Sequence, residues 1–400
     1  MAGGVKLGKV DTVETNGLVL SGRVDALDSL RGIAALVVVL HHCSLALGWY
    51  NYVDHFGIRI VLSGAGSVIL FFVLSGLVLT KTYLEKDRAY VPFAIKRVIR
   101  IYLPFAAAIL LAAALCWQLG YAPVSSAGDW FNSAGWHRPV TARVIASHLV
   151  MNSIDLDNAV WSLSHELRIS LLIPFLALAI TRFPKATIAG LFAVSVVLSP
   201  LSHNLQPHPN IQNYVTSVQY VLIFAFGAML VAHGGAIVRH LRQLSGLKLF
   251  ALTLTCLAAI STAPNSILPL DSLSQVFYLI ISGAGSAGLI CLALTPGWFE
   301  KSVLRHPAAI YLGSISYSLY LVHLIVMQVL VRSLHDLVPV WLPFVITPVV
   351  AIGAAQVFRL AAETQSQNIG RRAAAWWTGR RAVAEEGFGT QKTAKRPPSV

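Results

Sequence analysis

Charge is scarce in this chain. Lys, Arg, Asp and Glu make up 12% of its 400 residues, where a soluble domain carries about a quarter. With 56% hydrophobic residues and a mean hydropathy of +0.68, that deficit excludes an ordinary soluble fold and points to a polytopic membrane protein. Acidic residues are the scarcer sign, 17 against 30 basic ones, for a formal net charge of +13. The basic residues alternate from loop to loop, which argues against a nucleic-acid surface. Cysteine is limited to Cys43, Cys116, Cys256 and Cys291, all inside apolar segments. Thiols so placed read as small packing residues and exclude a disulfide framework or a metal cluster. No signal peptide is expected: residues 1–29 are mostly polar or small, and the first apolar run is long enough to span.

Apolar segments of spanning length fall near 30–50, 60–80, 101–120, 160–181, 186–203, 213–233, 247–263, 275–295, 309–331 and 340–361. They predict an all-α, polytopic helical bundle of about ten transmembrane helices. Residues 141–153, too short and polar to span, and the basic stretch 90–100 are expected as interfacial helices on opposite surfaces. Of the 30 lysines and arginines, 25 lie in one alternating set of loops and termini. Only Arg59, Arg138, Arg143 and Arg332 lie in the other set, and Arg168 is inside a span. The positive-inside rule then places both termini in the cytoplasm. Residues 1–25 form a cytoplasmic segment, 26–370 the membrane domain, and 371–400 a basic cytoplasmic tail. The tail ends in KRPPSV and is expected to be a disordered topology anchor facing anionic lipid. The sequence SGAGS occurs at 63–67 and 282–286, inside spans, where small residues let helices approach closely.

Arg31 and His42 are eleven residues apart on the first span. Eleven steps of 100° return within about 20° of the starting direction and climb roughly 16 Å. One helix face therefore carries an arginine near the cytoplasmic surface and a histidine near mid-bilayer. Ionisable groups at such depth are costly and usually functional. The histidine suits a buried base and the arginine an anion. His41 points about 100° away from His42 and is the second choice; Cys43 points away likewise. Arg97 and Arg100, three apart, make a fork suited to phosphate groups. Glu166, in WSLSHE at 161–166 with Arg168, is a carboxylate inside an apolar span, suited to orient a histidine, to bind a hydroxylated acceptor or to form an intramembrane ion pair. Ser316 and His323 are nearly in line, flanked by Tyr317 and Tyr320, and His323 is a second candidate base.

In order and spacing, LDSLRGIAAL with Arg31 and His42, FFVLSG at 71–76, RVIRIYLP at 97–104, WSLSHE at 161–166 and LGSISYSLYLVH at 312–323 resemble the acyltransferase 3 family of membrane proteins. Its members O-acylate bacterial surface polysaccharides and some secondary metabolites, and the resemblance runs from about residue 25 to 370. It implies an enzyme of the bacterial cytoplasmic (inner) membrane that takes an acyl group, acetyl by default, from cytoplasmic acyl-coenzyme A. The acceptor is a hydroxyl of a surface or exported carbohydrate, such as exopolysaccharide, lipopolysaccharide or a lipid-linked saccharide. His42 and Glu166 become the catalytic pair, and Arg31, Arg97 and Arg100 the acyl-coenzyme A site. Ser75, Trp161, Ser162, Tyr317, Tyr320 and His323 become supporting or acceptor-side residues. No permanently bound cofactor, metal or nucleic acid is implied. Ser67 and Ile69 replace a glycine and an acidic residue of the family pattern, His165 an apolar residue, and Glu363 lacks its usual proline; acceptor choice is where these departures bear. Transfer is either direct or through an acyl-histidine. A different reading of the same residues is a proton-coupled exporter with His42, Glu166 and His323 as its relay.

Overall fold

The computed structural model describes Leu18 and residues 24–49, 56–87, 89–204, 209–262 and 271–393. α1 (Asp25–Ala46) begins without a side-chain cap but has Asp25 and Asp28 in its first turn, where carboxylates suit the helix dipole. α2 (Phe56–Leu62) is short, and α3 (Gly64–Thr82) is capped by Ser63, whose Oγ accepts from the Gly66 N–H at 3.2 Å. α4 (Tyr90–Leu119) is followed by two short helices, α5 (Asp129–Ala134) and α6 (Ala142–Leu149). A 3₁₀ turn (Asn158–Val160) leads into α7 (Trp161–Arg182), α8 (Pro184–Asn204), α9 (Pro209–Leu241), α10 (Gly246–Ile260) and α11 (Asp271–Ala293). Then come α12 (Pro307–Leu334), α13 (Trp341–Phe358) and α14 (Thr364–Thr393).

Among the described residues there is no strand, and nine helical stretches are long and apolar enough to cross a membrane. The chain is a polytopic helical membrane bundle. The expected span at 247–263 is α10, apolar but only 15 residues long. At 1.5 Å per residue it falls short of a hydrocarbon layer of about 30 Å. Both SGAGS repeats pack on it. A Cβ on Gly66 would lie 2.3 Å from the Ile260 carbonyl oxygen, and one on Gly285 would lie 2.8 Å from the Ala259 Cβ. Ser282 Oγ also donates to the Ala259 carbonyl at 3.2 Å.

Two expectations need correction. Residues 90–100 are not a separate interfacial helix but the first third of α4, which continues through Pro104. Arg97 explains why: it is buried in the bundle and paired with Glu166 on α7, which holds this stretch upright. Residues 371–393 are helical rather than disordered, because α13, a π-helical turn (Arg359–Glu363) and α14 run on as one helix. α14 lies against α4, with Gly370 facing Ile99 at van der Waals distance and Ala374 buried. Residues 394–400 of that tail lie outside the described residues.

α12 is the most buried of the long helices and α8 the least. The contact that positions the site is between α1 and α12. A Cβ on Gly32 would lie 2.2 Å from the Gly313 nitrogen, and one on Gly313 would lie 2.4 Å from the Asp28 carbonyl oxygen. Glycine is required at both positions because backbone meets backbone there. From this crossing the two helices run on together in the same direction. His42 and His323 each lie ten residues further along, about 15 Å at the helical rise.

Candidate active site

The shared offset from the glycine crossing brings the two histidines together. His42 Nδ1 is 2.8 Å from His323 Nε2, and the rings are parallel to within 2°. His323 Nδ1 lies 2.9 Å from the Tyr320 carbonyl and 3.2 Å from that of Leu319. His41 turns elsewhere, against α3, where a Cβ on Gly64 would meet its ring at 2.5 Å. Trp130 on α5 stacks on His42, with ring centres 5.0 Å apart. The loops around α5 are pinned by the same two helices. The Gly128 N–H donates to Ala46 at the end of α1, while Gln328 and Arg332 of α12 bond the carbonyls of Gly135, Ala122 and Trp136. Nothing in the sequence marked Trp130, since an aromatic in a loop helix has no periodic signature.

Below this dyad, on the Arg31 side, lies a cavity of about 230 Å³ whose lining includes Arg31, Lys96, Arg97, Arg100, Glu166 and Tyr320. Its basic wall comes from α1 and α4. Arg100 is exposed, whereas Arg97 is buried and binds Glu166 Oε1 at 2.5 Å. Ser75 Oγ donates to the same oxygen at 3.1 Å. Glu166 therefore meets a cation and a hydroxyl. The position beside the His42 imidazole, expected for Glu166, is taken by His323. Ser162, Ser316 and Tyr317 line the cavity as well; Tyr317 donates to the Ile101 carbonyl at 2.9 Å. Trp161 lies outside this lining and borders a second cavity. Lys96, not singled out from sequence, joins the basic wall; a lysine one residue before Arg97 was the available signal.

Removing one partner of a buried ion pair strands the other charge. Glu166→Ala is expected to destabilise the protein by roughly 1.5–3 kcal/mol, the range of a hydrogen bond to a charged group, because the half-buried pair lines a cavity. Pairing Glu166→Gln with Arg97→Met should recover most of that loss, read as thermal unfolding in detergent.

Tyr320 joins the cavity to the dyad. Its hydroxyl donates to the Ala159 carbonyl at 2.9 Å and lies 2.8 Å from Ser162 Oγ, while its own carbonyl faces His323. Ala159 belongs to the 3₁₀ turn, whose N–H is accepted by Asp157 Oδ1 at 3.0 Å. Asp157, just ahead of the α7 span, is buried, and burial pushes its carboxyl up to about 8. The folded state thus holds a proton that the unfolded chain loses near 3.8. Stability is greatest below that value and falls as pH rises towards 8. Asp157→Asn, which keeps the cap, is expected to raise the melting temperature at pH 8.5 and leave it nearly unchanged at pH 4. Equal shifts at both values would contradict the protonated carboxyl.

The profile of a family described as an acyltransferase domain matches residues 24–359 of this chain. A 72-residue stretch is 40% identical to the O-acetyltransferase PaAT-1 of Phomopsis amygdali, covering 16% of this chain and 14% of that protein. No solved structure matches.

Proposed function

The chain belongs to the acyltransferase domain family, and on that premise we propose that it is a membrane O-acyltransferase moving acetyl from acyl-coenzyme A to a carbohydrate hydroxyl. The observation that carries this reading is the line from a basic cavity, through Tyr320, to a hydrogen-bonded histidine pair. Cations suit the phosphates of the donor. Arg31, Lys96, Arg97 and Arg100 line that cavity together, with Arg97 paired to Glu166 and Arg31 3.6 Å from Asp28, and Arg100 is the exposed member of the group. The loop charge asymmetry supports placing this end in the cytoplasm of a bacterial inner membrane, where acyl-coenzyme A is found.

With both rings neutral, the hydrogen bonds have one direction. A carbonyl only accepts, so His323 Nδ1 carries that ring's proton and Nε2 is an acceptor. His42 Nδ1 then donates to it, leaving His42 Nε2 with the lone pair. That nitrogen takes the proton of the acceptor hydroxyl as its oxygen attacks the thioester carbonyl. Collapse of the tetrahedral intermediate breaks the carbon–sulfur bond, and the proton passes from His42 to the departing thiolate. His323 is a positioning residue, holding the tautomer in which His42 is a base.

The test compares surface glycans of cells with and without the protein by mass spectrometry, alongside acetyl-coenzyme A binding to the purified chain. Unchanged acylation together with absent donor binding would refute the reading. Arg100→Ala should raise the donor KM roughly tenfold, as expected from one charge-assisted bond of about 1.5 kcal/mol, while kcat stays within about twofold. An unaltered KM would remove Arg100 from the donor site.

A further inference from the structure

Arg168 takes no part in the basic cavity, although it follows Glu166 by only two residues. Two helical steps turn a side chain through about 200°, so Arg168 leaves α7 on the face away from that cavity. Glu166 is bound to Arg97, and among the described residues no carboxylate pairs with Arg168. Its partners are neutral and come from α9. Nη1 donates to Asn213 Oδ1 at 2.7 Å and to Ser217 Oγ at 3.1 Å, and the guanidinium carbon lies 4.1 Å from the centre of the Tyr214 ring. Both of these hydrogen bonds leave from one nitrogen. Nε and Nη2 are available to another acceptor, and neither is closed off from the surface.

The surroundings are those of a lipid boundary. Leu172 and Phe175, four and seven residues further along α7, share the direction of Arg168 and are 48% and 61% exposed. Tyr214 and Val218 form a matching exposed stripe on α9. Because α8 returns across the bundle between them, α7 and α9 start at the same membrane surface. Arg168 is seven residues into α7, about 10 Å from its start. It nevertheless bonds Asn213, only four residues into α9. The side chain thus reaches back towards the helix starts, as a snorkelling cation does, and brings its charge near headgroup level.

We propose that Arg168 holds the phosphate of an anionic phospholipid whose chains lie along the Leu172–Phe175 and Tyr214–Val218 stripes. A cation with no carboxylate partner beside lipid is costly, and a lipid of one net negative charge neutralises it. Phosphate oxygens accept from the open Nε and Nη2 positions as a charge-assisted pair. The Tyr214 ring and the Asn213 amide keep the guanidinium in place to receive them. A zwitterionic lipid offers the same phosphate but leaves the net charge of the site unchanged. Inorganic phosphate offers it too, without the chains that would cover the apolar stripes. This site is independent of the acyl-transfer reading.

The experiment is native mass spectrometry of the full chain in detergent, with dioleoylphosphatidylglycerol and dioleoylphosphatidylcholine at equal concentration. Phosphatidylglycerol adducts should predominate by roughly fivefold or more, the scale of one cation acting near a membrane surface. Arg168→Gln, whose amide still donates to Asn213, should bring the two lipids to parity. Arg143→Gln removes an exposed cation from the same side of the bundle and should leave the preference intact. Native melting in phosphatidylcholine qualifies each variant. A wild-type measurement stands beside them: phosphatidylglycerol with a photoreactive headgroup should label the first two turns of α7 or α9. Equal retention of both lipids, a preference that survives Arg168→Gln, or one lost equally in Arg143→Gln overturns the proposal. So does labelling confined to other helices, or a lipid-free dimer, which gives this face to a second copy. Displacement of phosphatidylglycerol by millimolar inorganic phosphate overturns it as well, because the site is then one for a free anion.

Discussion

His42→Gln is expected to lower acyl transfer by roughly 10²–10⁴-fold, the range that a positioned general base contributes. Donor KM should hold, because the cations of the basic cavity are untouched. The companion variant is His323→Phe, which removes the acceptor facing His42 Nδ1. It should lower kcat by a smaller factor with KM unchanged, and it should move the pH–rate profile, since the neighbour that fixes the tautomer is gone. A merely structural histidine would lower the yield of folded protein and leave the profile of the remainder in place. Retention of more than about a tenth of the activity in His42→Gln, below the usual contribution of a base, would transfer that role elsewhere. His41 is a poor heir, because its ring packs against Gly64 rather than towards His323.

Gly313→Leu is expected to be the most disruptive single change away from the chemistry. Overpacking a core typically costs about 1–3 kcal/mol, and here the obstacle is backbone on both sides, which cannot change rotamer to yield. The loss should therefore sit at or above the top of that range, as a drop in melting temperature and in monodisperse yield. The surviving protein carries the sharper signature. Pushing α12 away from α1 separates His323 from His42, so kcat should fall in the fraction that still binds acetyl-coenzyme A. Normal turnover in Gly313→Leu would show that the crossing does not set the register of the dyad. Gly353→Leu is the control, because a Cβ at Gly353 meets nothing within 4 Å.

Much of this was legible in the sequence because membrane helices advertise themselves. Apolar runs of spanning length can satisfy their backbone in lipid only as helices. Hence all but one of the expected segments appear as long apolar helices, the exception being the shorter α10. The 100° step also placed Arg31 and His42 on one face from spacing alone. Helix ends were harder. Arg97 and Lys96 read as a membrane-surface stretch until the partner of Arg97 was known, and that partner is 69 residues away. The basic composition after Arg371 suggested a loose tail, whereas a glycine against Ile99 gives the first part of that helix a packing surface.

Helical periodicity relates residues on one helix and says nothing of which helix comes to face it. Composition, span lengths and the spacing of Arg31 from His42 were properties of the sequence by itself, because each depends on local geometry or on transfer from water to lipid. The partnership of His42 with His323, of Glu166 with Arg97, and of Trp130 with the dyad belonged to the tertiary structure alone. Those pairings depend on how closely α1 and α12 approach and at what register. The approach is decided by two glycines, Gly32 and Gly313, whose meaning appears only when their backbones touch.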